Sequence, residues 1–77
     1  LSKKETQILR LLAEHSDHEL QLEEIAQAIQ DNHTRAEHYV DQLLDQELLH
    51  DSLSMGGPTT YGLTRKGRAY LVERHLI

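Results

Sequence analysis

"DNHTRAEHYVDQLLDQELL", residues 31–49, decides the fold. Thr34 can cap a helix, and Ala36, Tyr39, Val40, Leu43 and Leu44 then recur at the spacing of one buried helical face. From Leu48 the period shortens toward the alternation of a strand. The same stretch holds five acids, Asp31, Glu37, Asp41, Asp45 and Glu47, against a single base, Arg35. Which way those acids point decides what the helix can touch.

Upstream, Ser2-Lys3-Lys4-Glu5 has the form of a capping box, and Ile8, Leu9, Leu11 and Leu12 continue as a first helix to about His15. Ser16-Asp17-His18 reads as the connection after it. Glu19 to Gln21 has room for no more than a bridging strand, and Ile25, Ala26 and Ile29 set an apolar stripe on a second helix from about Leu22 to Gln30, with Gln21 as a weak cap. Asp31-Asn32-His33 interrupts the period and makes a tight turn into the third helix.

Downstream, Leu49, Asp51 and Leu53 alternate, Met55-Gly56-Gly57-Pro58 forms a turn, and Thr59 to Leu63 returns, which predicts a hairpin. Thr64 caps a last helix with Gly67, Tyr70, Leu71 and Arg74 on one side and Ala69, Val72 and Leu76 on another. The fold class is α+β.

A chain of 77 residues is one domain. It buries only about 60% of the surface its unfolded form exposes, which leaves no volume for an internal cofactor, and none is expected. There is no cysteine, hence no disulfide framework and no thiolate metal site, and a reducing interior is the default. The apolar runs fall far short of the ~20 residues that span a bilayer, so a soluble, cytoplasmic protein without membrane contact is expected. The chain begins at Leu1 and its only methionine is Met55, which suggests a domain cut from a longer protein. Net charge is −5, and the deficit lies in residues 21–50. Acidity of this kind opposes non-specific binding to nucleic acid without excluding specific binding.

The order helix, short strand, helix, turn, helix, hairpin, helix is that of a winged helix-turn-helix. "LEEIAQAI" resembles the second helix of MarR-type and related bacterial DNA-binding domains. "HTRAEHYVDQLLDQELL" resembles their third helix entering the wing, and "YGLTRKGRAYL" their return strand and final helix. The Leu63-Thr64-x-x-Gly67 pattern is the most specific part: Thr64 caps, and Gly67 lets the helix backbone approach the sheet. Two departures stand out. Glu47 occupies the position where many relatives end the third helix with glycine, which makes a left-handed cap there doubtful or strained. Around the wing tip, Asp51, Ser52, Ser54, Met55 and Gly57 supply no cation.

The resemblance implies a prokaryotic transcription-regulator module that binds DNA through its third helix, with His33, Thr34, Arg35, His38 and Gln42 at the reading positions. Arg35 suits guanine O6 and N7, Gln42 adenine N6 and N7. Phosphate contacts would come from Lys3, Lys4, Arg65, Lys66 and Arg68 if these fold onto the same side. On a wheel with Ala36 at 0°, Glu37, Asp41 and Asp45 fall near about 100°, 140° and 180°, while His38, Gln42, Arg35 and Gln46 fall at about 200–280°. The acids therefore form a separate ladder. They are either a solvated flank, destabilising the isolated helix by about 0.2–0.5 kcal/mol per like-charged pair, or a docking stripe for a basic protein surface. Tyr39 and Tyr70 belong to the core side, and dimerisation through the last helix remains open.

No two of the six histidines have the i, i+4 spacing of a helical metal pair, so no dedicated metal site is expected. Ser16-Asp17-His18 holds the letters of a catalytic triad, but neighbours in a turn cannot converge as one, and no enzyme activity is expected. Histidines gain charge as pH falls toward about 6. With His33 and His38 on the reading side, DNA affinity at fixed salt should rise between about pH 8 and about pH 6. Equal binding isotherms at the two values would refute this.

Overall fold

In the computed structural model, which describes residues 2–15, 19–53 and 55–76, the chain opens with the expected capping box. The Glu5 amide donates to Ser2 Oγ at 3.2 Å, and the Ser2 amide to the Glu5 carboxylate at 3.3 Å. Helix α1, Lys3–Glu14, buries Ile8, Leu9 and Leu12. The expected connection at 16–18 lies outside the described residues. Strand β1, Leu20–Gln21, runs directly into α2, Leu22–Ala28, where the Gln21 amide donates to the Glu24 carboxylate at 3.0 Å. Helix α3 covers His33–Asp45.

Its cap is Asn32, whose side chain accepts from the Arg35 amide at 2.8 Å, and not Thr34 as the sequence suggested. Asparagine caps at least as well as threonine, and taking Asn32 adds His33 and Thr34 to the exposed first turn. Strands β2, Leu49–Ser52, and β3, Thr60–Leu63, form the wing, and α4, Arg65–Glu73, follows the Thr64 cap. The sheet order is β1-β3-β2, antiparallel throughout, with Leu20 and Asp51 both opposite Tyr61 and Leu49 opposite Leu63.

The first three helices bury Ile8, Leu12, Ile25, Ile29, Val40 and Leu43 against one another, and Leu49 and Leu71 close this core from the wing and α4. Tyr39 and Tyr70 are half-buried at its edge, and Arg74 lies 4.9 Å over the Tyr70 ring. Ala69 and Val72, expected on a second apolar side of the last helix, are exposed, Val72 by 55%.

Three helices end alike. Gln30, Glu47 and His75 adopt φ of 56°, 61° and 55°, and beyond each the chain closes the paired bonds of a Schellman turn. After α3 these run from Glu47 N to Leu44 O at 3.0 Å and from Leu48 N to Leu43 O at 3.0 Å. The glycine-free cap therefore forms, with glutamate in a region that costs an L-residue roughly 1–2 kcal/mol. Tertiary bonds hold it there. Thr64 Oγ1 donates to the Glu47 carbonyl at 2.7 Å and Thr64 N to the Leu48 carbonyl at 3.2 Å. Gly67 packs so tightly beneath that a Cβ would overlap the Leu48 carbonyl oxygen.

On the outer sheet face, Glu19 accepts from Thr60 Oγ1 at 2.6 Å and Ser52 Oγ at 3.1 Å, and its carboxylate lies 3.6 Å from His50 Nδ1. The Thr60 bond chiefly holds the Glu19 pKa below its ordinary value, with help from Ser52 and His50 and against the effect of burial. This clasp ties β1 to both wing strands. It stabilises the fold above the ordinary carboxylate range and is lost as pH falls through the lowered value.

Glycine relieves the left-handed strain but raises the entropy lost on folding by roughly 0.5–1 kcal/mol. Glu47→Gly should therefore stabilise the chain by about 0.5–1 kcal/mol, read as a higher urea midpoint at unchanged slope. A lower midpoint would show that the glutamate side chain contributes more than its backbone costs.

Candidate nucleic-acid interface

Because Ala36, Val40 and Leu43 turn inward, the residues between them must turn out. His33, Thr34, Arg35, His38 and Gln42 are all exposed, with Arg35, His38 and Gln42 on one stripe at spacings of three and four. Arg35 is 69% exposed, and its only described ion pair is to Asp31 at 4.0 Å. An exposed pair of that length contributes little to stability and leaves most guanidinium donors available.

The five acids of this region are dispersed by the fold. Asp31, with a side chain only 10% exposed, accepts from the Asn32 amide at 2.8 Å and faces Arg35 across the turn. Glu47 sits at the far end, 3.8 Å from Lys66. Glu37 and Asp41 look toward the wing: burial is the main cause of the raised Tyr61 pKa, and the carboxylates of Asp41, Asp51 and Glu37 add to it. Asp45 takes no part in that group. Of the ladder Glu37, Asp41, Asp45, the first two act on Tyr61 across the gap between helix and wing.

That gap leads into a cleft of about 270 Å³ between the starts of α2 and α3 and the wing, lined by Leu22, Glu23, His33, Pro58 and Tyr61 among others. The wing therefore stands beside the N-terminal end of α3, with Glu23 in the cleft and Asp51 on the wing opposite Tyr61. Two large apolar side chains mark its tip, Leu53 at 81% and Met55 at 104% exposure.

Arg65, Lys66 and Arg68 lie on the first turn of α4. The Lys66 pair to Glu47 and the Thr64 bonds put the first turn of α4 at the C-terminal end of α3. That is about 18 Å along the helix from His33. Of the other two cations, the Lys4 ammonium donates to the Ile29 carbonyl at the end of α2, and Lys3 lines a groove between α1 and α2. Sequence periodicity divides a helix into faces but carries no information on which neighbour each face meets, so the acidic cleft, Tyr61 and the displaced cations were not legible there. Among the described residues no group of three or more metal-ligating side chains converges, and no helix is long and apolar enough to cross a membrane.

No family model matches the chain, and no curated protein matches it. Solved structures do. A MarR-family transcriptional regulator from Silicibacter pomeroyi superposes with a TM-score of 0.83 at 30% identity, over 92% of this chain and 47% of that one. MepR of Staphylococcus aureus in its DNA-binding conformation gives 0.87 at 19% identity, over 95% and 55%. A variant of Lactococcus lactis ZitR gives 0.84 at 23%, over 99% and 51%. The chain spans about half the length of these proteins.

Neutralising Asp41 should move Tyr61 ionisation, followed by ultraviolet absorbance, to lower pH, with part of the upward shift surviving because burial remains. An unchanged titration in Asp41→Asn would put that carboxylate away from the wing. In architecture and element order, the chain has the winged-helix fold of the MarR-family transcription regulators.

Proposed function

We propose that this chain is the DNA-binding module of a cytoplasmic transcription regulator, with α3 entering the major groove. One observation carries the proposal. The exposed stripe Arg35, His38, Gln42, with His33 and Thr34 at the helix start, takes no part in the core, on a fold like that of a regulator solved in its DNA-binding conformation. The chemistry suits base edges: a largely free guanidinium for guanine, an amide for adenine, and two imidazoles and a hydroxyl for mixed donor and acceptor contacts. Arg35 stands at the start of the helix, and its 4.0 Å pair to Asp31 leaves most of its donors free for a base. With so few cations nearby, affinity will rest more on base contacts than on phosphate neutralisation, and the salt dependence should be shallow for a DNA-binding domain.

The test is a titration of isotopically labelled protein with a mixed-sequence duplex at low salt, followed by selection of preferred sites. Amide shifts should concentrate between His33 and Gln42. On a selected site, Arg35→Ala should lose about 1–3 kcal/mol and relax the preference at one base pair. Absence of shifts at high duplex concentration would overturn the proposal.

A further inference from the structure

The cations of this domain are not where the wing is. Between Ser52 and Thr60 the wing has no charged residue; the cleft between it and the starts of α2 and α3 holds Glu23, and Asp51 lies on the wing itself opposite Tyr61. A phosphate brought to that side meets carboxylates whose fields carry over a screening length of about 10 Å at 0.1 M salt. The other side of the helix-turn-helix differs. The turn after α2 carries Arg35 on its far edge, and the Lys4 ammonium is bound to the Ile29 carbonyl on its near edge. Behind Ile29 opens a groove of about 650 Å³ between α1 and the end of α2, lined by Lys3, Thr6, Gln7, Arg10, Ala28 and Ile29 among others. Lys3, Gln7 and Arg10 follow the i, i+4, i+7 row of one helical face, and all three are exposed. The acids near it are Glu5, engaged with the Ser2 amide, and Glu14 at the far end of the groove.

We propose that the DNA backbone is held on the turn side of α3, in the groove between α1 and α2, by Lys3 and Arg10 with Thr6 and Gln7 as neutral donors, and that the wing makes no phosphate contact. This rests on the DNA-binding role proposed above and names the surface that completes it. Charge decides the side: with α3 in the major groove, one flanking phosphodiester strand passes the wing, which has no lysine or arginine from Leu49 to Leu63, and the other passes the turn, where Lys3 and Arg10 can meet it. The groove ends at Ile29, two residues before Asp31, which Arg35 faces across the turn.

The experiment is fluorescence anisotropy of a labelled duplex against four proteins across a range of salt: the wild-type chain, Lys3→Ala with Arg10→Ala, Leu53→Ser with Met55→Ser, and Arg35→Ala. Each phosphate contact adds about 0.9 to the slope of log affinity on log salt, so losing two lowers it by about 1.8. The deficit of the Lys3/Arg10 variant should therefore narrow roughly tenfold between about 50 and about 200 mM salt. The wing-tip variant should bind like wild type, and Lys3→Arg with Arg10→Lys should restore the slope. If the Lys3/Arg10 variant keeps the wild-type slope while Arg35→Ala still weakens binding, the groove proposal is wrong and the DNA-binding role stands. A loss in the wing-tip variant matching that of the Lys3/Arg10 pair also overturns it. If the wild-type chain binds no duplex, or Arg35→Ala changes nothing, the DNA-binding role fails and the groove proposal with it.

Discussion

The joint between Glu47, Leu48, Thr64 and Gly67 is the constraint on which the second half of the molecule depends. Glu47 turns left-handed, Leu48 closes the Schellman bond to Leu43, and Thr64 then bonds both carbonyls while capping α4 through Gly67 N at 2.9 Å. One threonine hydroxyl thus serves the end of one helix and the start of another. The direction of β2 follows from the turn, the register of the wing follows from β2, and the approach of α4 requires that Gly67 have no Cβ. Strain at Glu47 is tolerated because three independent bonds share its cost, the usual condition for a non-glycine residue in that region.

Held this way, the wing lies alongside α3, and its side-chain chemistry becomes part of the helix's surroundings. The alternation of β3 sends Tyr61 to the α3 side and Thr60 to the outer side, where Glu19 gathers it with Ser52. The two faces of a three-stranded sheet therefore have separate uses. The outer face fastens β1 to the hairpin through a carboxylate with lowered pKa, and the inner face holds a half-buried phenol whose pKa is raised chiefly by burial and further by Asp41, Asp51 and Glu37. The opposite shifts have different leading causes, a hydrogen bond to the charged form of Glu19 and burial of the Tyr61 phenol.

The consequence for nucleic acid is an asymmetric domain. Glu23 and Asp51 lie where helix and wing meet, while Lys3 and Arg10 line the groove between α1 and α2 and Arg35 stands at the turn. A net charge of −5 describes neither side. For a small domain, the distribution of charge across a helix decides which part of a duplex can approach more than the total does.

Periodicity, caps and turn residues determined the α+β class, the order of elements and the core faces of α1, α2 and α3, because these depend on interactions within a few residues along the chain. The capping box at Ser2, the turn at 55–58 and the Thr64 cap were readable for the same reason. Where two local solutions competed, as between Asn32 and Thr34, sequence alone chose the wrong cap by two residues. At Glu47 it saw the missing glycine but not the Thr64 hydroxyl, 17 residues away, that makes the left-handed turn affordable. The exposed stripe Arg35, His38, Gln42 was legible from helix geometry. The neighbours of each stripe were not: that Glu37 and Asp41 act on Tyr61, that Lys66 pairs with Glu47 at the end of α3, and that Lys3 and Arg10 share a groove with Ile29 are decided only when distant segments pack, since a helical wheel has angles but no neighbours.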